Sequence, residues 1–487
     1  MNVVIAASEC VPFAKTGGLA DVVGALPGKI ARLGHDIRVV LPYYRQTKKG
    51  SFNIASTGVQ IEVLIGEKMV AAEIFSVEKN GVKFYFVDND DYYDRDQLYS
   101  TDEGDYLDNA ERFIFFSKAV LETLKAMEFK PQIIHCHDWQ TGLVPVLIDY
   151  MRPHEIFFSD VSTVFTIHNL AYQGQFWHLD MPMTNLPWSY FTPEGIEYYE
   201  KLNLIKGGIV FADVVNTVSE KYSQEIQTPE YGCGLDGVLR AKGDRLFGIL
   251  NGVDYDQWGP EKDQYLVANY SLNDPAGKKE CRKDLLKEYG LRLAASKPLI
   301  SIISRLVDQK GFDLIGAKIE KIMQLDIGLI LLGTGDQKYH KLFERIAKKY
   351  PKKAGIKLGF DNKLAHKIEA GSDMFLMPSK YEPCGLNQIY SLRYGTVPIV
   401  RATGGLDDTI IDFDPATSKG NGFKFNDYTG QELLKTLKRA VKLFADNKMW
   451  RKLMENGMSC DFSWDTSAQK YVKLYQTAAN CKKCVAV

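Results

Sequence analysis

The chain has 487 residues, 45% of them apolar and 25% charged, which predicts two large globular domains with ample cores. A net charge of −1 argues against nucleic acid or an anionic membrane as the main partner, and no run of about 18 apolar residues is present to span a bilayer. Eight cysteines are scattered along the chain, some in core-like segments such as "IIHCHDW", a usage that suits a reducing cytosol.

In chain order, "MNVVIAASECVPF" reads as a buried first strand ended by Pro12, with no signal or transit peptide expected before it. "KTGGLADV" follows, a glycine turn opening a helix over "LADVVGALPGKIARLGH". A helix N-terminus attracts anions, and Lys15 adds a full positive charge there. Further strands are predicted at "DIRVVLP", "VKFYFVD", "QIIHCHD", "STVFTIH" and "DVVNTVS" in the first half. The second half repeats the pattern with "PLISIIS", "IGLILLG", "GIKLGF", "MFLMPS" and "VPIVRAT". Both halves are expected to be parallel sheets covered by helices, with a domain boundary near "GILNGVDYDQWGPEKDQYLVANYS". A final helical pattern begins near Asp465, with Ala468, Tyr471, Val472 and Tyr475 on one face. The terminal "CKKC" (Cys481, Cys484) has no second cysteine pair and is read as an exposed tail rather than a metal or redox site.

The polar residues that break these runs collect where strands end. "KTGGLADV" is echoed by "ATGGLDDT", which places Gly404 and Gly405 after a strand as Gly17 and Gly18 are. The echo suggests two Rossmann-like halves, each presenting a glycine turn to one ligand at the carboxyl ends of its strands. "SRLVDQKG" puts Arg305 and Lys310 at such an end, where a guanidinium fork and an ammonium suit a diphosphate. "PSKYEPCGLNQ" puts Glu382 and Cys384 at another: the carboxylate suits sugar hydroxyls, and the thiol reads equally well as a small buried hydrophobe. His168 and Asn169 end "FTIHN", while His135, His137, Asp138 and Trp139 fall in "IIHCHDW". His-x-His-Asp tempts a zinc assignment, but such a site needs three or four ligands, and no metal is expected. Asp88 and Asp90 form an Asp-x-Asp pair, a pattern cheap in this chain because it recurs at Asp94/Asp96, Asp254/Asp256 and Asp412/Asp414.

Taken together, "KTGGLADV", "HDWQTGL", "FTIHNLAYQG", "GILNGVD", "SRLVDQKG", "PSKYEPCGLNQIYSLRYGTVPIVRATGGLDDT" and "GFKF" resemble the bacterial glycogen synthases and plant-type starch synthases, in that family's order and over nearly the whole chain. The resemblance implies an α/β fold of the GT-B class, two Rossmann-like doubly wound domains facing across a deep cleft. It implies a first, acceptor-side domain over 1–254 with a helix over 465–487 returning to it, and a nucleotide-sugar domain over 255–464. The implied reaction moves glucose from ADP-glucose to the non-reducing end of an α-1,4-glucan with retention. Cysteine usage places it in the cytoplasm, no cofactor is expected, and no metal is expected because Lys15, Arg305 and Lys310 already supply the charge a metal would add.

Residue by residue, the resemblance assigns Lys15, Arg305 and Lys310 to the donor phosphates and Glu382 to the essential acid. Cys384, Gly385 and Leu386 line the donor sugar, His168 and Asp138 lie on the sugar side, and Asp21 faces the cleft. Phe360 stands where an adenine-stacking ring is expected. Gly18, Asn169, Asn251, Gly404 and Gly405 complete the substrate-binding set. One residue departs from the wider class: Tyr390 stands eight residues after Glu382, where many retaining GT-B enzymes carry a second glutamate.

Three other readings compete. A dinucleotide dehydrogenase would open a half with G-x-G-x-x-G, which neither half has. A glucan phosphorylase shares the GT-B plan but needs pyridoxal phosphate on a lysine. A non-catalytic glucan-binding homologue should have lost a phosphate cation or the acid, and both are retained.

Overall fold

The computed structural model describes residues 1–101 and 103–481. Its contacts divide the chain into two units. The first comprises Met1–Val218, Ser223–Gly252 and the C-terminal segment from Trp464, and the second Ser219–Tyr222 and Val253–Ser463. The chain therefore changes unit at Gly252/Val253, inside the glycine-rich segment that marks the boundary in the sequence, and returns at Trp464.

The first unit is built on a sheet whose strands in chain order are β1 (Asn2–Ala6), β2 (Asp36–Pro42), β3 (Ala55–Ile65), β4 (Lys68–Lys79), β5 (Val82–Asp88), β6 (Ile133–His137), β7 (Ser162–Ile167), β8 (Val214–Thr217) and β9 (Leu246–Gly248). Their spatial order is β9-β8-β7-β6-β1-β2-β5-β4-β3. Residues Val3–Ala6 are fully buried, as expected of a central parallel strand covered on both faces. The strand stops at Ala6, short of Pro12; the chain bends at Ser8 and turns at Val11–Phe13. Helix α1 (Gly18–Arg32) buries Leu19, Val22, Val23, Leu26 and Ile30, a stripe at helical spacing laid against β1 and β2.

The expectation of a purely parallel sheet is corrected at one edge. β3 and β4 form a hairpin, and β4 pairs antiparallel with β5. Their side chains alternate between exposed and buried, so the apolar residues of "STGVQIEVLI" never form the continuous run that marks the central strands. A small antiparallel sheet (Gln175–Trp177, Glu197–Tyr198, Lys201–Asn203) is likewise absent from the sequence reading.

Helix α2 (Trp464–Cys481) closes the first unit. Tyr471 and Tyr475 are fully buried beside Val3, Ile133, Val164 and Val214, and Lys29 of α1 pairs with Asp465 at 2.8 Å. Cys484 and the rest of the expected helix beyond Cys481 lie outside the described residues. No helix among the described residues is long and apolar enough to cross a membrane.

The second unit carries a parallel sheet of β10 (Leu299–Ile303), β11 (Gly328–Gly333), β12 (Ala354–Leu358), β13 (Met374–Met377), β14 (Val397–Arg401) and β15 (Phe423–Phe425), ordered β12-β11-β10-β13-β14-β15. In each unit the strand order reverses beside the first strand. The crevices that binding sites favour thus lie at the ends of β1 and β6 in one, and of β10 and β13 in the other.

Candidate functional site

In the second unit the chain leaves β10 through Ser304 and Arg305, and leaves β13 through Pro378 and Ser379 toward Glu382. A cavity of about 210 Å3 lies there, lined by Arg305, Lys310, Ser379, Glu382, Gly385 and Leu386 among others. Its size suits part of a nucleotide sugar rather than the whole, since pockets that enclose drug-sized ligands run to about 300–1,000 Å3. Lys310 Nζ donates to Glu382 Oε2 at 2.6 Å, and Ser379 Oγ donates to the same oxygen at 3.0 Å. Glu382 is buried, whereas the Arg305 side chain is exposed and has no ion-pair partner among the described residues.

Two glycine positions make this arrangement possible. Gly311 adopts φ +74°, and a Cβ there would sit 2.0 Å from the Pro378 carbonyl oxygen. Only glycine lets the Lys310 turn approach the end of β13 so closely. Gly404 adopts φ +46°, and a Cβ there would sit 2.0 Å from the Glu382 carbonyl oxygen. Gly405 donates its N–H to that carbonyl at 3.1 Å. The glycines of "ATGGLDDT" are buried and press against the main chain of Glu382–Cys384, so the turn holds the acid's loop in place. Cys384 is buried, and Phe360 is 89% exposed just beyond β12. Tyr390 stacks on Trp258 with ring centroids 4.0 Å apart, so an aromatic packing role occupies the position of the missing second glutamate.

In the first unit, the buried Glu9 organises the opening glycine turn. Its carboxylate accepts from Thr16 N at 2.5 Å, Thr16 Oγ1 at 2.6 Å, Gly17 N at 3.1 Å and the Tyr99 hydroxyl at 2.8 Å. The sequence reading missed Glu9. Its signal was a carboxylate standing inside an apolar run, directly after a strand. Lys15 is half exposed and pairs with Asp21 at 2.7 Å. Burial raises the Asp21 carboxyl while Lys15 pulls it back down. Gly18 begins α1, and a Cβ there would meet nothing within 4 Å, so that backbone stays open to an approaching ligand.

At the end of β6, Asp138 adopts φ +55° and accepts the His168 backbone N–H at 2.7 Å, which ties the ends of β6 and β7 together. Burial pushes its carboxyl up to about 7. His137 Nδ1 lies 2.9 Å from His168 Nε2, and His135 Nδ1 lies 2.9 Å from the Tyr475 hydroxyl. Burial lowers His135 and His168 to about 3 and His137 well below its ordinary value, so all three rings are neutral near pH 7. Asn169 caps its own turn by accepting from Ala171 N at 3.1 Å. Asn251 is buried with its Oδ1 unpaired.

The metal-like patterns resolve into ordinary pairings. Lys48 Nζ bridges Asp88 and Asp90 at 2.5 and 2.6 Å, and Arg45 holds Asp94 and Asp96. Among the described residues no group of three or more histidines, cysteines or carboxylates could hold a metal ion.

Two α/β units, one mixed and one parallel, carry polar clusters at their switch points, and together with the comparisons they place the chain among the glycosyltransferases of the GT-B class. Residues 2–241 match the family model "Starch synthase catalytic domain", and residues 289–458 match "Glycosyl transferases group 1". The chain is 50% identical to the glycogen synthase of Koribacter versatilis over 98% of both chains. It is 48% identical to that of Geotalea uraniireducens over 98% of this chain and 99% of the other. Among solved structures, the catalytic domain of starch synthase IV from Arabidopsis thaliana, bound to ADP and acarbose, superposes with a TM-score of 0.90 at 35% identity, over 98% of this chain and 99% of that one. A sucrose-phosphate synthase from Thermosynechococcus elongatus shares the fold at a TM-score of 0.60 and 16% identity, over 98% of each chain. The chain belongs to the glycogen synthase family.

Proposed function

We propose that the chain transfers glucose from ADP-glucose to the 4-hydroxyl at the non-reducing end of an α-1,4-glucan, with retention of the anomeric configuration, in a reducing cytoplasm. The observation that carries this reading is the cavity in which Arg305 and Lys310 stand beside the buried Glu382. Breaking the bond from glucose to phosphate builds positive charge on the sugar and negative charge on the departing ADP. Two preorganised cations stabilise the diphosphate, and such electrostatic placement is usually the largest catalytic term. Glu382 faces the oxocarbenium-like sugar. The acceptor hydroxyl attacks from the side the phosphate leaves, so the phosphate oxygen takes its proton. In the resting protein the ammonium of Lys310 is held by Glu382, and the donor diphosphate competes for it.

Gly385, Leu386 and the buried Cys384 border the sugar, Phe360 offers an exposed ring to adenine, and Gly404 and Gly405 act by supporting the acid's loop. In the first unit Lys15 and Gly18 offer an anion-binding turn at the start of α1, with Asp21 paired to Lys15, while Asp138, Asn169 and Asn251 set the loops at the ends of that unit's strands. The observation behind Lys15 is weaker in energy, because it is half exposed and water screens its charge, whereas the Lys310 side chain is only 17% exposed.

Steady-state kinetics with ADP-glucose test this order. A charge-assisted hydrogen bond in a dry site is worth about 1.5–3 kcal/mol, so Lys310→Ala is expected to lower kcat/KM at least ~10-fold. Arg305→Ala and Lys15→Ala are expected to follow in the same direction, with Lys15→Ala the mildest. Unchanged kinetics in both Lys310→Ala and Arg305→Ala would remove the diphosphate from this cavity.

A further inference from the structure

We propose that His137 is a positioning residue that fixes the tautomer of His168, holding its ring with the proton on Nδ1 so that it donates to a sugar hydroxyl. The second clause rests on the function proposed above; the first stands on hydrogen-bond geometry alone.

The proton positions follow from counting donors along the strand ends. Thr166 Oγ1 donates its one hydrogen to Asn216 Oδ1 at 2.6 Å. It must therefore accept from His135, whose Nε2 lies 2.5 Å away. His135 Nδ1 is then a bare lone pair and accepts from the Tyr475 hydroxyl. The His135 ring is satisfied at both nitrogens and meets His137 only ring to ring, with centroids 4.1 Å apart and planes tilted by 36°.

Among the described residues, His137 has a single hydrogen-bond partner for its ring, His168. One nitrogen of the pair carries the shared hydrogen, and there are two ways to place it. If His168 Nε2 donated, the hydrogen of the neutral His137 ring would sit on its own Nε2. That atom is fully buried and has no partner, and a buried N–H without an acceptor is the rarer and costlier defect. If His137 Nδ1 donates instead, only a lone pair is left unmatched. The second arrangement is favoured, and it leaves His168 with an acceptor at Nε2 and a hydrogen on Nδ1. A doubly protonated His137 would still bury an unpaired N–H on Nε2, and burial disfavours that charged ring. The His168 main chain is fixed by Asp138, so its half-buried ring is oriented from both ends.

The test is a two-bond 1H–15N correlation spectrum of the full chain labelled at histidine, with His168 assigned through the signals lost in His168→Gln. The wild-type protein is expected to show His168 protonated at Nδ1. His137→Asn can still donate from its amide and is expected to keep that tautomer, with kcat/KM within about threefold of wild type. At a pH high enough to ionise its carboxyl, His137→Asp can only accept, so there it is expected to move the His168 proton to Nε2 and to lower kcat/KM at least ~10-fold, the effect of one lost hydrogen bond. A wild-type His168 protonated at Nε2 overturns the proposal, as does a folded His137→Asp protein with unchanged tautomer and kinetics. If His137→Asp does not fold, the wild-type and Asn spectra decide. A protein with the expected tautomer that fails to use ADP-glucose contradicts the proposed function and leaves the positioning role standing.

Discussion

Glu382→Gln is expected to leave a folded protein with kcat lowered by about 10²–10³-fold or more, on the scale of losing a preorganised group that meets transition-state charge. Gln keeps an oxygen that can still accept from Lys310 and Ser379, so the loop has no cause to collapse, and the melting temperature is expected to move little. What disappears is the negative charge proposed to face the cationic sugar. A different role for Glu382, as a mere holder of Lys310, makes a distinct prediction. In that case Glu382→Gln, which still accepts from Lys310, would cost little, while Lys310→Ala would cost the full effect and the double variant no more than Lys310→Ala alone. With separate roles, the Gln variant is expected to lose kcat and the Ala variant to weaken donor use as well, with a further loss in the double variant. A stable Gln variant with near wild-type turnover would take Glu382 out of the mechanism.

The second large effect is on stability. Deleting residues 465–487 is expected to prevent the first unit from folding stably. The deletion removes Tyr471, Leu474 and Tyr475, all buried against the central strands. Burial of each such side chain is worth about 1.5–3 kcal/mol, against a total stability of about 5–15 kcal/mol for a whole domain. It also strips the hydroxyl from His135 and bares one face of the sheet. Because the truncated chain is expected to aggregate, Tyr475→Phe serves as the measured variant. It keeps the packing and loses the hydrogen bond to a buried ring, at a cost of about 1–3 kcal/mol. Thermal unfolding followed by near-ultraviolet circular dichroism reads both. A truncated chain that melts with the full-length protein would show that α2 is an accessory.

The sequence carries the central strands plainly, because strands buried on both faces read as unbroken apolar runs such as "PLISII" and "GLILLG". The β3–β4 hairpin escapes for the opposite reason: its exposed face interrupts the run at every second residue, and its turn at Gly66 carries little other signal. At the site, residues that bear charge at strand ends are legible. Arg305, Lys310 and Glu382 announce themselves by standing where apolar runs stop, and the structure places them in one cavity. The residues that hold them are less so. Glu9, Ser379 and Gly311 act through contacts with segments distant in the chain, such as Glu9 with Tyr99 and Gly311 with Pro378. No local pattern encodes those distances. The helical face of α2 is legible from its period, but the pairing of Tyr475 with His135, 340 residues away, is a fact of tertiary structure alone.

The central claim, glucosyl transfer to a glucan with ADP-glucose as donor, is tested most directly by incubating the full chain with glycogen and radiolabelled donor, ADP-glucose in one reaction and UDP-glucose in the other. Label is expected in the polymer from ADP-glucose, at a rate at least ~10-fold above that from UDP-glucose, a preference of about 1.4 kcal/mol in the barrier. No incorporation from ADP-glucose, or faster incorporation from UDP-glucose, would contradict it.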